Sequence, residues 1–188
     1  MILPIVAYGD TVLTTKAKNI PADYAGLKEL VANMFETMYN ANGVGLAAPQ
    51  VGLSLRLFVI DAEQYDEEKF KGQKKAFINP EILERSGEPW AFNEGCLSIP
   101  DVRGDVLRPA KIRMRYFDEQ GKEHTEEFED MPARIIQHEY DHIEGILFTD
   151  HLNPLKRRLV QKKLDQIKRG IVTADYRMRF AKAFQKRR

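Results

Sequence analysis

Cysteine is almost absent from this chain of 188 residues: Cys96 is the only one. A single thiol excludes an intrachain disulfide and points to a reducing compartment, the cytosol. Histidine is scarce too, with four copies. No apolar run approaches the ~20 residues that a membrane span needs, so no membrane partner is expected. The opening Met-Ile-Leu-Pro-Ile-Val lacks the basic region and long apolar stretch of a signal peptide. Neither a GxGxxG nor a Gly-Lys-Ser/Thr ending occurs, which removes the two common phosphate loops. There is no internal repeat and no low-complexity segment.

What is present is a hydrophobic fraction of 43%, enough for one domain with a sizeable core. The formal net charge of +1 conceals an asymmetry. Residues 1–153 carry 16 Lys/Arg against 26 Asp/Glu, whereas residues 154–188 carry 13 against two. The chain thus divides into an acidic body, 1–153, and a basic tail, 154–188. By charge alone the tail suits an anionic partner such as RNA or an acidic membrane surface, or equally a helix with a solvated basic face.

The scarce histidines are not scattered. His138 and His142 bracket Glu139 in the H-E-x-x-H of Gln137 to Gly145. On a helix, residues four apart leave the same face, so two imidazoles can grip one metal ion with Glu139 beside them as a base. The surroundings predict that helix. Asp130 can cap it, Pro132 fits its first turn, and Ala133, Ile136, Tyr140 and Ile143 make an apolar stripe. Gly145 is the expected stop.

Upstream, Tyr24 to Asn40 has helical periodicity, with Leu27, Leu30, Val31, Met34 and Met38 on one face. Gly43-Val44-Gly45-Leu46-Ala47-Ala48-Pro49-Gln50 is backbone that turns tightly or is closely approached. Leu53 to Asp61 reads as a strand, residues 62–75 as an exposed loop, and Ala76 to Leu83 as a second strand. Lys111 to Phe117 alternates strictly, Asp118 to Gly121 turns, and 122–128 returns as a polar strand. Residues 154–169 form a last helix, with Leu155, Leu159, Val160, Leu164 and Ile167 facing the domain and Gly170 ending it. Beyond it, Tyr176, Phe180 and Phe184 either pack back on the domain or add to the tail's contact. The sum is an α+β fold: short, mostly antiparallel strands around a central H-E-x-x-H helix, with an N-terminal helix and a basic C-terminal helix.

Two histidines rarely hold a metal alone, and a catalytic site typically takes three protein ligands. His151 and Glu144 are available downstream, but Cys96, in Glu94-Gly95-Cys96-Leu97-Ser98, is the better third ligand. Cys96 also admits a second role, as a nucleophile paired with histidine, and the plain alternative of a buried small hydrophobe.

Three stretches, Gly43–Gln50, Glu94–Ser98 and Gln137–Gly145, together resemble the peptide deformylase family in order and separation. The similarity extends over most of residues 1–155, making 1–153 the catalytic domain. The resemblance implies removal of the formyl group from the N-terminal methionine of new polypeptides, releasing formate. It implies that Cys96, His138 and His142 hold one divalent metal, Fe(2+) in the cell, with Zn(2+), Ni(2+) or Co(2+) in purified protein. Glu139 would shuttle the proton, while the Gln50 amide and the Leu97 backbone N–H would form the oxyanion site. Gly43 and Gly45 would flank the substrate backbone, Val44 and Ile135 would line the methionine pocket, and Arg103 would touch the rim. The basic helix would contact the ribosome, as in some members. The chemistry suits these roles: an amide carbonyl is a poor electrophile, and a metal makes hydroxide available near neutral pH. The rivals are an H-E-x-x-H peptidase, recognised by cleavage of unformylated peptides, and an RNA-binding protein with a structural metal. The second would need a fourth protein ligand.

Overall fold

The structure, a computed structural model, describes residues 1–181. In chain order it runs through β1 (Ile5–Val6), α1 (Leu27–Asn40), β2 (Gly45–Ala47), β3 (Leu57–Asp61), β4 (Lys74–Ser86) and β5 (Trp90–Cys96). It continues with β6 (Ile99–Arg108), β7 (Lys111–Phe117), β8 (Glu123–Glu129), α2 (Asp130–Glu144), α3 (Pro154–Lys168) and β9 (Met178–Arg179). Five strands form an antiparallel sheet in the order β2-β3-β4-β7-β8. β5 and β6 form a separate antiparallel hairpin, and β1 pairs in parallel with β9.

Period-two geometry explains why β3 is an unbroken apolar run. Phe58 and Ile60 face α2, where Ala133, Ile136 and Ile143 pack, while Leu57 and Val59 face α1 and its Val31, Met34 and Met38. A strand covered on both sides has no polar face to alternate with. β7 alternates as expected, with Ile112, Met114 and Tyr116 buried. The third core joins the β5–β6 hairpin to α3 through Val102, Val106, Leu164 and Ile167.

Several boundaries differ from the sequence expectation. α1 begins at Leu27, because Gly26 enters the left-handed region at φ 79° and caps it. Regular pairing in β3 starts only at Leu57, after the Gly52 turn. β4 runs well beyond 76–83, and its register shifts between Ile78 and Glu81, around Pro80, which cannot donate to the ladder. Residues 62–75 are not merely an exposed loop: Ala62–Gln64 is a 3-10 turn and Phe70 is buried in the α2 core. The N-cap of α2 is Glu129, not Asp130. Asp130 instead sits at φ 58° and pairs with Lys69 at 2.6 Å. Gly145 does end α2, at φ 78°, where a Cβ would stand 2.9 Å from the Thr14 backbone.

On α3, Leu164 and Ile167 are buried, but Leu155 and Leu159 are 69% and 73% exposed. The basic face is partly engaged rather than left to solvent. Lys156 pairs with Asp105, Arg157 with Asp150 and Lys163 with Asp101. Tyr176 and Phe180 pack back on the domain, while Phe184 lies outside the described residues.

Candidate active site

The site forms where the tip of the β5–β6 hairpin meets α2. Cys96 and Ile99 are paired partners, so Leu97 and Ser98 make the turn. The register shifts between Gly95 and Cys96, and Asp101 on the opposing strand takes φ 57°. An irregularity of this kind re-aims the end of a hairpin. Here it brings the Cys96 sulfur to 3.2 Å from His142 Nε2.

His138 and His142 leave the same side of α2, with ring centroids 5.2 Å apart and planes at 74°. Ligand atoms of Cys96, His138 and His142 all lie within 4.8 Å of one another. One thiolate and two imidazoles at that spacing fit a divalent ion of intermediate softness with a coordination position left open. The electrostatics agree. Burial pushes the Cys96 thiol up, but His142 and then His138 outweigh it and bring it down to about 5, favouring the thiolate. His151 and Glu144, the other possible ligands, point elsewhere. His151 binds Asp141 at 2.8 Å, and Glu144 pairs with Arg56 and Lys16.

The remaining expected residues also gather here. Glu139 is buried beside both histidines, and its Oε2 finds no hydrogen-bond partner among the described residues. A Cβ at Gly45 would collide with that carboxylate, so the second glycine of the Gly43–Gln50 stretch is needed for Glu139 to lie against β2. A Cβ at Gly43 would stand 2.7 Å from the Leu97 side chain. Gln50 is buried, its Oε1 accepting from the Ala47 N–H at 2.8 Å. That leaves Nε2 aimed at Cys96 Sγ, 3.5 Å away, and Ser98 Oγ, 3.4 Å away. These groups open on a cavity of about 490 Å³ whose lining includes Val44, Ile135, Met131 and Phe92. Arg103 lies across Gly95 at the rim, held by Asn93 at 2.6 and 3.0 Å.

Sequence reasoning missed a buried charge network behind the ligands. Glu94 accepts from His138 Nδ1 at 2.9 Å, from Arg108 at 2.7 and 3.0 Å, and from Arg134 at 2.9 Å. Arg108 also reaches Asp141 at 2.7 Å. Arg134 lies over the Trp90 ring at 4.2 Å. Fixing Nδ1 of His138 presents Nε2 to a metal and makes the imidazole a better donor. The one available signal was Glu94 itself, an acid two residues from the cysteine. Of two further residues on the cavity wall, Tyr65 gives no signal in the sequence, and Tyr176 stands out only as an aromatic of the tail, with nothing to tie it to the site.

The family model for polypeptide deformylase matches residues 2–158. The chain belongs to the polypeptide deformylase family. A peptide deformylase of Cytophaga hutchinsonii is 58% identical over 180 residues, covering 96% of this chain and 98% of that protein. Another, from Christiangramia forsetii, is 56% identical, with 97% and 98% covered. Among solved structures, the peptide deformylase of Thermus thermophilus superposes with a TM-score of 0.82 at 39% identity, covering 91% of this chain and 100% of that one. That of Legionella pneumophila gives 0.80 at 42%, covering 90% and 96%. This deformylase is therefore a metal-dependent hydrolase that removes the N-formyl group from nascent polypeptides, with its metal site at Cys96, His138 and His142.

Proposed function

We propose that this deformylase uses Fe(2+) in the cell, with Glu139 as the proton shuttle and Gln50 and Leu97 as oxyanion donors. The observation that carries this reading is the Glu139 carboxylate, buried and with Oε2 unpartnered, beside three ligand atoms and the Gln50 amide. Burial pushes the Glu139 carboxyl up and the two imidazoles pull it back part-way, leaving it at about 7. A carboxyl near the working pH can both take and return a proton.

When bound, the ion supplies Lewis acidity to polarise the formyl carbonyl and ease deprotonation of water. The chain's own groups do the rest. Glu139 Oε2 takes the proton from water and hands it to the departing amine. Gln50 Nε2 donates to the oxygen on which negative charge develops, and the Ala47 contact on its Oε1 holds that orientation beforehand. The Leu97 N–H, at the hairpin tip next to Cys96, is the second donor.

The substrate lies extended along Gly43 and Gly45, because β2 is an edge strand and the cavity borders it. Val44 and Ile135, joined by Met131 and Phe92, take the methionine side chain, and Arg103 meets the peptide at the rim. Residues 1–153 form the catalytic domain and 154–188 the basic tail, which contacts ribosomal RNA. The exposed Arg158, Lys162 and Arg169 would make that contact. Among the described residues no helix is long and apolar enough to cross a membrane, which together with a lone cysteine supports a cytosolic location.

Formate release from a formyl-Met peptide, measured beside metal content, tests the assignment. Cys96→Ser, His138→Ala and His142→Ala should each lose metal and activity together, since each removes one of three ligands. Full metal occupancy in all three variants would overturn it.

A further inference from the structure

The chain does not leave the domain after α3. Gly170 turns it at φ 74°, and residues 173–176 then border the catalytic cavity. Met178–Arg179 pairs with Ile5–Val6: the Ile5 N–H donates to the Arg177 carbonyl at 2.9 Å and the Ala7 N–H to the Arg179 carbonyl at 2.8 Å. Gly52 leaves the space that the Arg179 guanidinium fills. The tail is therefore fastened on both sides of Tyr176.

Tyr176 packs with Leu97 against the α1 core, and its O–H donates to the Leu97 carbonyl at 2.7 Å. The next carbonyl along the turn, that of Ser98, accepts from the Tyr8 N–H at 2.9 Å. Consecutive carbonyls of the hairpin tip are thus gripped from opposite ends of the chain, and those ends are tied together by the β1–β9 pair. Burial first, then the charges of Cys96, Asp101 and Asp175, push the Tyr176 hydroxyl far above its ordinary range. Its O–H therefore remains a donor through neutral pH.

We propose that Tyr176 is a positioning residue for deformylation: by holding the Leu97 carbonyl it fixes the Leu97–Ser98 peptide and so restrains the backbone rotations at Leu97 that would turn its N–H, in the preceding peptide, away from the developing oxyanion. The inference rests on the reading of Leu97 as an oxyanion donor. An oxyanion donor is effective because its orientation is set before charge develops. A two-residue turn is held at its ends by the ladder, whereas Tyr176 and Tyr8 act on the turn itself. The C-terminal tail, on this account, is part of the catalytic apparatus as well as a covering for the domain.

Tyr176→Phe removes the hydroxyl and keeps the ring. With a short formyl-Met peptide, kcat should fall about fivefold, the loss expected for one hydrogen bond of ~1 kcal/mol, with KM changed less than about twofold. Amide hydrogen exchange in residues 94–99 should quicken in the same variant, with or without metal. Faster exchange at unchanged kcat would show that the turn is pinned but that Leu97 is not the donor, overturning the underlying reading and the proposal with it. Unchanged exchange would overturn the pin alone. A KM rise that accounts for the whole effect would make Tyr176 a binding residue and overturn the proposal. So would metal loss with a melting midpoint lowered by more than about 4 °C, which marks a purely structural role.

Discussion

The Glu94 carboxylate sits 2.9 Å from His138 Nδ1 and is itself gripped by Arg108 and Arg134. That contact fixes which imidazole nitrogen faces the metal, and two guanidinium groups keep the acid charged while it does so. Glu94→Gln should therefore keep the fold but weaken metal binding by about 10–100-fold. Competition with a chelator of known affinity measures this directly, and an unchanged affinity would show that the network is structural only.

The same network makes the protein sensitive to acid. Burial pushes the Glu94 carboxyl up, but the hydrogen bonds from His138 and Arg108 outweigh it and hold it well below the usual range. Asp141 is lowered too: burial raises it, and His151 and Arg108 overcome that. A carboxyl whose folded pKa is depressed contributes stability that is complete above its unfolded value, ~4, and is lost as pH falls below it. Through these two carboxyls the melting temperature of metal-free protein should drop steeply as pH falls from about 4 toward 3. A profile flat to pH 3 would contradict this.

How far the sequence shows this site depends on what each element buries. α2 is legible because H-E-x-x-H, an apolar stripe and Gly145 agree on one helix. The β5–β6 hairpin is not. The inward positions of β6 are Val102, Gly104, Val106 and Arg108, while Leu107 points outward and is 65% exposed. A glycine admitting Leu152 and an arginine serving Glu94 hide the alternation that marks a half-buried strand. Its turn, Leu97-Ser98, lacks the Gly or Asn of the common two-residue turns. With the hairpin hidden, the partnership of Arg108 with Glu94 and Asp141 is hidden as well. On α3 the apolar spacing overstates the docked face, because Leu155 and Leu159 lie on a side of the helix turned away from the stripe of Val160, Leu164 and Ile167 that packs on the domain.

Metal identity should show itself in air. A thiolate ligand beside an open coordination position exposes sulfur, and iron if loaded, to oxidation. Protein loaded with Fe(2+) should lose activity in air while nickel- or zinc-loaded protein persists, with the zinc form less active. Equal lifetimes for the three loadings would remove the oxidation argument.

The ribosome contact is best tested on residues without a partner role in the domain fold. Lys156, Arg157 and Lys163 already pair with acids, so reversing them would confound packing with binding. Reversal of Arg158, Lys162 and Arg169 to glutamate should lower co-sedimentation with ribosomes at low salt and flatten its salt dependence through lost counterion release. Turnover of a short formyl-Met peptide should hold. Unchanged co-sedimentation in the reversed variant would rule out α3 as the contact.

The most direct measurement compares wild type with Glu139→Gln at matched metal content, following formate released from a formyl-Met peptide. Gln keeps the size of the side chain and removes its capacity to carry a proton. Both proteins should hold one metal, and turnover in the variant should be lower by at least ~100-fold, the usual worth of a positioned acid–base group. Wild-type turnover in a fully loaded Glu139→Gln protein would contradict it, as would wild-type activity that survives complete removal of metal, which would hand the reaction to Cys96 as nucleophile.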